Sequence, residues 1–257
     1  MKVQYIGHSG FLVTLESCCL LFDYYNGELP RFSAADVENK PIYVFSSHRH
    51  EDHFNPAIFS LAKTSMQVKY LLSYDIKLNT HFFKKYPEAA TLQEQGRLYS
   101  LRMDEHYVID NLEIDPLKST DEGVAFLVRI MPEKKMIYHA GDLNWLVWPD
   151  DKKQEYNLMT SMFQRAVSQL KELVEENSFD GSIDAAFIPL DPRQEQYEFY
   201  GMEYYLKHVP VKNVFPMHFW DQYEIIPRYM EAHKEQGLEG QCSNIIKITK
   251  RGECYEV

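Results

Sequence analysis

Four side chains that can bind a metal ion lie within one short segment of the sequence. The segment reads HRHEDH and supplies His48, His50, Asp52 and His53. Residues two positions apart in an extended segment point the same way, so His48 and His50 can approach one cation. A following turn can bring Asp52 and His53 around a second position. Imidazole and carboxylate ligands suit Zn²⁺ best and also suit Fe or Mn. The alternative to a metal site is a polar surface loop in which the histidines only form hydrogen bonds.

An apolar, β-prone segment immediately precedes these four residues. Pro41–Ser47 (PIYVFSS) predicts a buried strand that carries the ligands at its end. The remainder of the first half predicts a short helix at Pro56–Lys63 and four further strands, at Met1–Ile6, Gly10–Glu16, Cys19–Tyr24 and Val68–Ser73.

The second half of the sequence follows a similar plan. Gly123–Ile130 and Lys135–Tyr138 predict a hairpin, and an amphipathic pattern between Tyr156 and Asn177 predicts a helix. We further predict buried strands at Asp184–Leu190 and Asn213–Pro216, a helix at Ile225–Glu235, and a closing hairpin of Ile245–Thr249 with Glu253–Val257. Two such halves predict two sheets with helices outside them.

Composition and charge restrict the class of protein. The 257 residues include 27 Lys+Arg and 38 Asp+Glu, and the resulting net charge of −11 disfavours nucleic-acid binding. The longest apolar run, Cys18 to Phe22, is too short to cross a bilayer. The 4 cysteines form no CxxC pair, which favours a reduced, cytoplasmic protein.

The HxHxDH pattern after a strand resembles the metallo-β-lactamase superfamily, and specifically its small stand-alone hydrolases similar to the L-ascorbate-6-phosphate lactonase group. Four other segments resemble this group in the expected order: Gly7–Phe11 (GHSGF), Leu20–Asp23 (LLFD), Ile137–Asp142 (IYHAGD) and Phe215–His218 (FPMH). The resemblance implies an α/β fold, an αββα sandwich of two mixed sheets with helices on the outer faces. It also implies a single metallo-hydrolase domain over 1–257, with halves of about 1–115 and 116–257.

The same resemblance implies a ligand set and a cofactor. The metal ligands would be His48, His50, Asp52, His53, Asp142 and His218, with Asp142 bridging two positions. One or two Zn ions would bind, with Mn or Fe as alternatives. The family's third histidine for the first position is missing from residues 114–123, so Asp121, Ser119 or water would replace it. We therefore expect one firm metal position and one weaker one.

Three residues outside the ligand set are candidates for contacting substrate. His8 could do so at the mouth of the site, although a structural role is an equal alternative. Arg193 follows a predicted buried strand and could clamp a carboxylate or phosphate group, unless it only forms a surface salt bridge. Trp145, with Trp148, could form a wall of the pocket or pack around the metals.

The predicted activity is metal-dependent hydrolysis of a small ester, lactone or phosphodiester. A metal-bound hydroxide would be the nucleophile, with Asp52 orienting it. The partner would be a small molecule, an anionic one being an option, with neither nucleic acid nor membrane involved. The alternatives are a non-hydrolytic iron protein acting as a redox or sensor protein, and a degenerate member of the fold that binds without catalysis.

Overall fold

The computed structural model describes residues 1–30, 32, 40–63, 67–235 and 244–257. These residues form two compact units. The first comprises Met1–Arg102 with Arg251–Val257, and the second comprises Met103–Lys250. Within the described residues, each unit contains one seven-stranded sheet of mixed strand direction.

The sheet of the first unit has the strand order β14-β1-β2-β3-β4-β5-β6. Its strands are β1 (Lys2–Gly7), β2 (Gly10–Thr14), β3 (Cys19–Phe22), β4 (Ile42–Ser46), β5 (Val68–Ser73), β6 (Leu98–Leu101) and β14 (Cys254–Glu256). Strands β3 to β6 are parallel, and the other pairs are antiparallel. The helices are a 3₁₀ helix at Pro56–Lys63 and α-helices at Thr80–Lys85 and Pro87–Glu94.

The second unit repeats this arrangement with the strand order β13-β12-β11-β10-β9-β8-β7. Its strands are β7 (Tyr107–Ile109), β8 (Leu112–Lys118), β9 (Val124–Ile130), β10 (Lys135–His139), β11 (Ile183–Pro189), β12 (Val211–Met217) and β13 (Asn244–Ile245). Strands β7 to β10 are antiparallel, and β10 to β13 are parallel. The helices are Lys153–Asn177, Tyr200–His208, Ile225–Glu235 and a 3₁₀ helix at Pro192–Tyr197.

Parallel strands position the candidate site residues in both units. Every residue of β4 and of β11 is buried, as expected for parallel strands that are covered on both faces. Since neighbouring parallel strands end at the same edge of a sheet, the residues after β3 and β4 lie side by side. The same holds for the residues after β10, β11 and β12. Asp23 and the HRHEDH segment follow the first pair, whereas Asp142, Asp191 and His218 follow the second set.

The predicted α/β class, with two mixed sheets and helices, is confirmed. The strand Val68–Ser73 and the helix Ile225–Glu235 have their predicted bounds. The predicted closing hairpin is wrong, because β13 pairs with β12 of the second unit whereas β14 pairs with β1 of the first. Local alternation of apolar residues indicates a strand but does not choose its partner.

The division between the two units lies before β7. Residues 103–115 group with the second unit because β7 pairs with β8 across a tight turn.

Among the helices in the described ranges, none has both the length and the apolar character that crossing a bilayer requires.

Candidate metal centre

In the first unit, the loop after β4 brings three predicted ligands together. One ligand atom each from His48, His50 and Asp52 lies within 4.8 Å of the others. The closest approach joins His48 Nε2 and His50 Nδ1, at 3.1 Å. The fourth predicted ligand, His53, is fully buried, and its Nε2 lies 3.8 Å from Asp52 Oδ2. The segment therefore folds into a compact group of nitrogen and oxygen donors.

His8 lies within this group of donors and not at its edge, where a residue that contacts only substrate would lie. Its side chain is buried, and His8 Nε2 is 3.3 Å from Asp52 Oδ2. Ligand atoms of His8, Asp52 and His53 all lie within 4.8 Å of one another. A left-handed backbone at His8, with φ of 54°, directs the side chain as β1 ends. The structure thus places His8 among the donors, a position that the sequence did not single out as a ligand.

A buried carboxylate that the sequence did not place in the site supports His53. Asp23 has no exposed surface, and His53 Nδ1 donates to Asp23 Oδ2 at 2.7 Å. This hydrogen bond leaves His53 Nε2 as the nitrogen that can ligate. Histidine ligands of metals almost always donate their other ring nitrogen to a carboxylate, a carbonyl group or water. The donor set of the first unit therefore fits a metal ion.

The second unit contains a similar histidine–carboxylate pair. His218, at the end of β12, has a left-handed backbone with φ of 62°. His218 Nδ1 lies 3.2 Å from Asp191 Oδ2, and His218 Nε2 lies 3.3 Å from Asp142 Oδ1. Asp142 and His218, which the resemblance implies as ligands, thus lie close together. Asp191 contacts the other ring nitrogen of His218, Nδ1.

Arg193 is engaged with Asp191 through its guanidinium fork. Arg193 Nε lies 2.9 and 3.0 Å from the two carboxylate oxygens, and its Nη2 donates to Oδ2. Burial alone would raise the pKa of Asp191, but hydrogen bonds from His218 and Arg193 outweigh it and lower the pKa to about 2. The guanidinium group also lies 4.5 Å from the ring centre of Trp220. Because the guanidinium group of Arg193 contacts both oxygens of Asp191, its position favours the salt bridge over the substrate clamp.

A cavity of about 440 Å³ opens beside Asp142 and His218 within the second unit. Asp121 lines it, and a carboxylate oxygen of Asp121 lies within 4.8 Å of one of Asp142. Ser119 does not line this cavity, and its hydroxyl group accepts a hydrogen bond from Asp121 N at 3.2 Å. Of the two candidate substitutes for the missing histidine, the geometry therefore favours Asp121.

Trp145 is half-buried against aromatic side chains of the second unit and does not line this cavity. Its ring stacks on Phe163 at 5.6 Å between ring centres, and its Nε1 donates to Thr160 Oγ1. Trp148 lines the cavity instead. The sequence named both tryptophans but could not separate them, because neighbouring aromatic residues look alike without knowledge of the backbone direction.

Comparisons with known proteins agree with the fold and with the type of site. No family model matches the chain. The chain is 33% identical over 147 residues to a UPF0173 metal-dependent hydrolase of Opitutus terrae, and 27% identical over 160 residues to one of Alkaliphilus metalliredigens. Each match covers 55% of this chain and 63% of the relative. The chain therefore spans less than two thirds of the length of these relatives.

Solved structures share the fold over the whole chain. Igni18, a metallo hydrolase from Ignicoccus hospitalis, has a TM-score of 0.60 at 17% identity, covering 100% of this chain and 98% of its own. CmlA, a diiron β-hydroxylase from Streptomyces venezuelae, has a TM-score of 0.57 at 14% identity, covering 100% of this chain and 54% of its own. At these identities the likeness shows the fold alone, which is an α/β fold with two mixed sheets.

Proposed function

We propose that this protein is a metal-dependent hydrolase of the metallo-β-lactamase superfamily. Its metal ligands would be His48, His50, Asp52, His53, Asp142 and His218, with Asp121 as the substitute for the missing histidine. The observation that carries the proposal is the pairing of a buried carboxylate with Nδ1 of a candidate ligand histidine, which occurs once in each unit. The curated relatives, named as metal-dependent hydrolases, support it.

The cofactor would be Zn, in one or two ions, with Mn or Fe as alternatives. When bound, such an ion lowers the pKa of a water molecule and polarises the group under attack. Asp52 is the residue that we assign to orienting the attacking water, because its carboxylate faces both His8 and His53. Asp23 and Asp191 would hold the rings of His53 and His218 in place. These rings would then not need to move during the reaction.

We further propose that the substrate is an uncharged ester or lactone, in preference to a phosphodiester. Besides the proposed ligands Asp121 and Asp142 and the supporting Asp191, the cavity is lined by two further carboxylates, those of Asp151 and Glu155, and by the guanidinium group of Arg193. Because Arg193 is held by Asp191, it does not offset the other carboxylates. Two charges 4 Å apart interact by about 1 kcal/mol in water and about 4 kcal/mol near a protein surface, so an anion would be disfavoured here.

Asp151 and Glu155 are the carboxylates that bear most directly on this choice. Asp151 accepts a hydrogen bond from Trp148 N, and Glu155 accepts one from Lys152 N at the start of a helix. Over the described part of the chain, no basic side chain forms an ion pair with either residue. No basic side chain of the described residues therefore offsets either carboxylate at the cavity.

Hydrolysis assays with matched substrates test the proposal. Uncharged aryl esters and lactones should be hydrolysed by the metal-loaded protein, and a chelator should abolish this activity. Bis(p-nitrophenyl) phosphate should be a poorer substrate, and Asp151→Asn with Glu155→Gln should narrow the difference. Faster hydrolysis of the phosphodiester than of every ester and lactone would overturn the substrate assignment. No chelator-sensitive hydrolysis of any substrate would overturn the activity itself.

A non-hydrolytic iron protein is the second candidate, and the likeness of the fold to a diiron hydroxylase supports it. Purified protein that retains iron, shows a ligand-to-metal absorption band and hydrolyses no ester would favour this candidate. A degenerate member that only binds a partner would hold no metal after reconstitution.

Two further assignments belong to the proposal. We assign residues 1–257 to a single metallo-hydrolase domain, since the two units repeat one strand plan and each supplies candidate ligands. We also propose a cytoplasmic location. The cysteines of the described residues, Cys18, Cys19 and Cys254, form no disulfide, which supports this location.

A further inference from the structure

The hydroxyl group of Ser47 lies between one buried carboxylate and two buried imidazole rings. Ser47 Oγ is 2.5 Å from Asp23 Oδ2, 3.0 Å from His48 Nδ1 and 3.4 Å from His53 Nδ1. The backbone N–H of Ser47 also donates to Asp23 Oδ1 at 2.7 Å. None of these four side chains has exposed surface. One hydroxyl group thus connects the two histidines at the two ends of the HRHEDH segment.

The protons in this group can be placed by counting donors and acceptors. An ionised carboxylate only accepts, so the Ser47 hydroxyl must donate its single proton to Asp23. The contact between Ser47 Oγ and His48 then requires His48 Nδ1–H to donate to a lone pair of the oxygen. His53 Nδ1–H donates to the same carboxylate at 2.7 Å. Each contact is satisfied only when both histidines carry their proton on Nδ1.

We propose that Ser47 is a positioning residue that fixes the tautomer and ring orientation of His48 through Asp23. A single carboxylate would then orient two ligand histidines, His53 directly and His48 through the serine hydroxyl. His48 is left with Nε2 as its ligating atom, and this is the atom that approaches His50 Nδ1. The inference rests on the proposed function in one respect, namely that His48 ligates a metal.

The neighbouring residue Ser46 supplies a matched control. Ser46 is also buried and lies in β4 beside Ser47, and its hydroxyl group has no hydrogen-bond partner in the described residues. Ser46→Ala and Ser47→Ala therefore remove the same atom from adjacent buried positions. Ser47→Thr restores a hydroxyl group at the position in question. The three variants separate the hydrogen bonds of Ser47 from the general effect of deleting a buried oxygen.

Metal affinity, measured by competition with a chromogenic zinc chelator, is the first readout. Ser47→Ala should weaken zinc binding by about 10- to 100-fold, which is the usual effect of removing a supporting partner of a ligand. Ser46→Ala should change it less than 2-fold, and Ser47→Thr should recover most of the wild-type affinity. Equal weakening in Ser46→Ala and Ser47→Ala would overturn the proposal.

Nitrogen-15 NMR of the histidine rings in the metal-free wild-type protein is the second readout, and it needs no variant that could fail to fold. The expected result is the Nδ1–H tautomer for both His48 and His53. The Nε2–H tautomer at His48 would overturn the assignment to Ser47, whatever the metal content. Wild-type protein that shows the expected Nδ1–H tautomer at both histidines but binds no zinc would instead contradict the proposed function.

Discussion

The two units arrive at the same histidine support by different local means. In the first unit, Asp23 holds His53 at 2.7 Å and is itself held by the hydroxyl and amide groups of Ser47. In the second unit, Asp191 lies 3.2 Å from His218 and is held by the guanidinium fork of Arg193. A buried carboxylate that contacts Nδ1 of a candidate ligand histidine is therefore the shared element, and the group that holds the carboxylate differs between the units.

The units also differ in how far along the chain the donors are collected. The first unit takes four predicted ligands from six consecutive residues after β4. The second takes Asp142 and His218, together with the supporting Asp191, from the ends of three neighbouring parallel strands. Removing a donor from the first unit should therefore also disturb the neighbouring donors in the same segment. In the second unit the donors lie on separate strands, so the loss of one should disturb the others less.

The largest expected effect comes from His53→Ala. This change removes a ligand and leaves Asp23 buried without one of its donors, so zinc affinity should fall by more than about 100-fold, beyond the usual effect of losing a supporting residue. Chelator competition and esterase assays measure it. His106→Ala is the control, because His106 is exposed and pairs with Asp115. Retained metal and activity in His53→Ala would contradict the ligand assignment.

Asp23→Asn and Asp191→Asn test whether the two supports are equivalent. Each variant keeps the shape of the side chain and removes its charge, so each should weaken zinc binding by about 10- to 100-fold. Asp23→Asn should have the larger effect, because Asp23 also anchors Ser47. Titration of both variants against one chelator gives the order, and a larger loss in Asp191→Asn would reverse the comparison.

Asp121→Ala tests the substitute ligand in the second unit. Since Asp121 lies near Asp142, this change should remove about one equivalent of metal and leave the other bound. Ser119→Ala should leave the metal content unchanged. Metal analysis after dialysis of both variants gives the result. Unchanged metal content in Asp121→Ala would show that Asp121 is not the substitute.

The smallest effect on the reaction is expected from Trp145→Ala. Because Trp145 packs on Phe163, its loss should lower the free energy of unfolding by about 3 kcal/mol, with little change in KM. Trp148→Ala should show the opposite pattern, a few-fold higher KM with a smaller loss of stability. Urea denaturation and ester kinetics on both variants separate the two roles. A raised KM in Trp145→Ala alone would reverse the assignment.

Much of the fold could be predicted because its strands are apolar and locally bounded. β4 is an almost continuous apolar run, and β5 and β11 are apolar apart from a single charged residue each, Lys69 and Asp184. The HRHEDH segment follows β4 after one residue, Ser47. The partner of a strand could not be predicted in the same way. The segment at the carboxyl terminus looks like a hairpin, yet its two strands belong to different sheets.

The supporting residues of the candidate site were less accessible to prediction than its donors. The sequence marks Asp23 only as the last residue of the LLFD segment, and it includes Ser47 in the predicted strand Pro41–Ser47. Their roles follow from the register of β3 against β4, which places them side by side across a gap of more than twenty residues. The sequence leaves Arg193 with two alternatives, a substrate clamp and a surface salt bridge, and does not identify Asp191 as its partner.

The most direct test of the central claim is the metal content of the protein purified without added metal or chelator. We expect between one and two equivalents of zinc, manganese or iron per chain, reduced by at least one equivalent in His53→Ala. A protein that holds no metal, even after reconstitution with each of the three ions, would contradict the claim that these histidines and carboxylates form a metal centre.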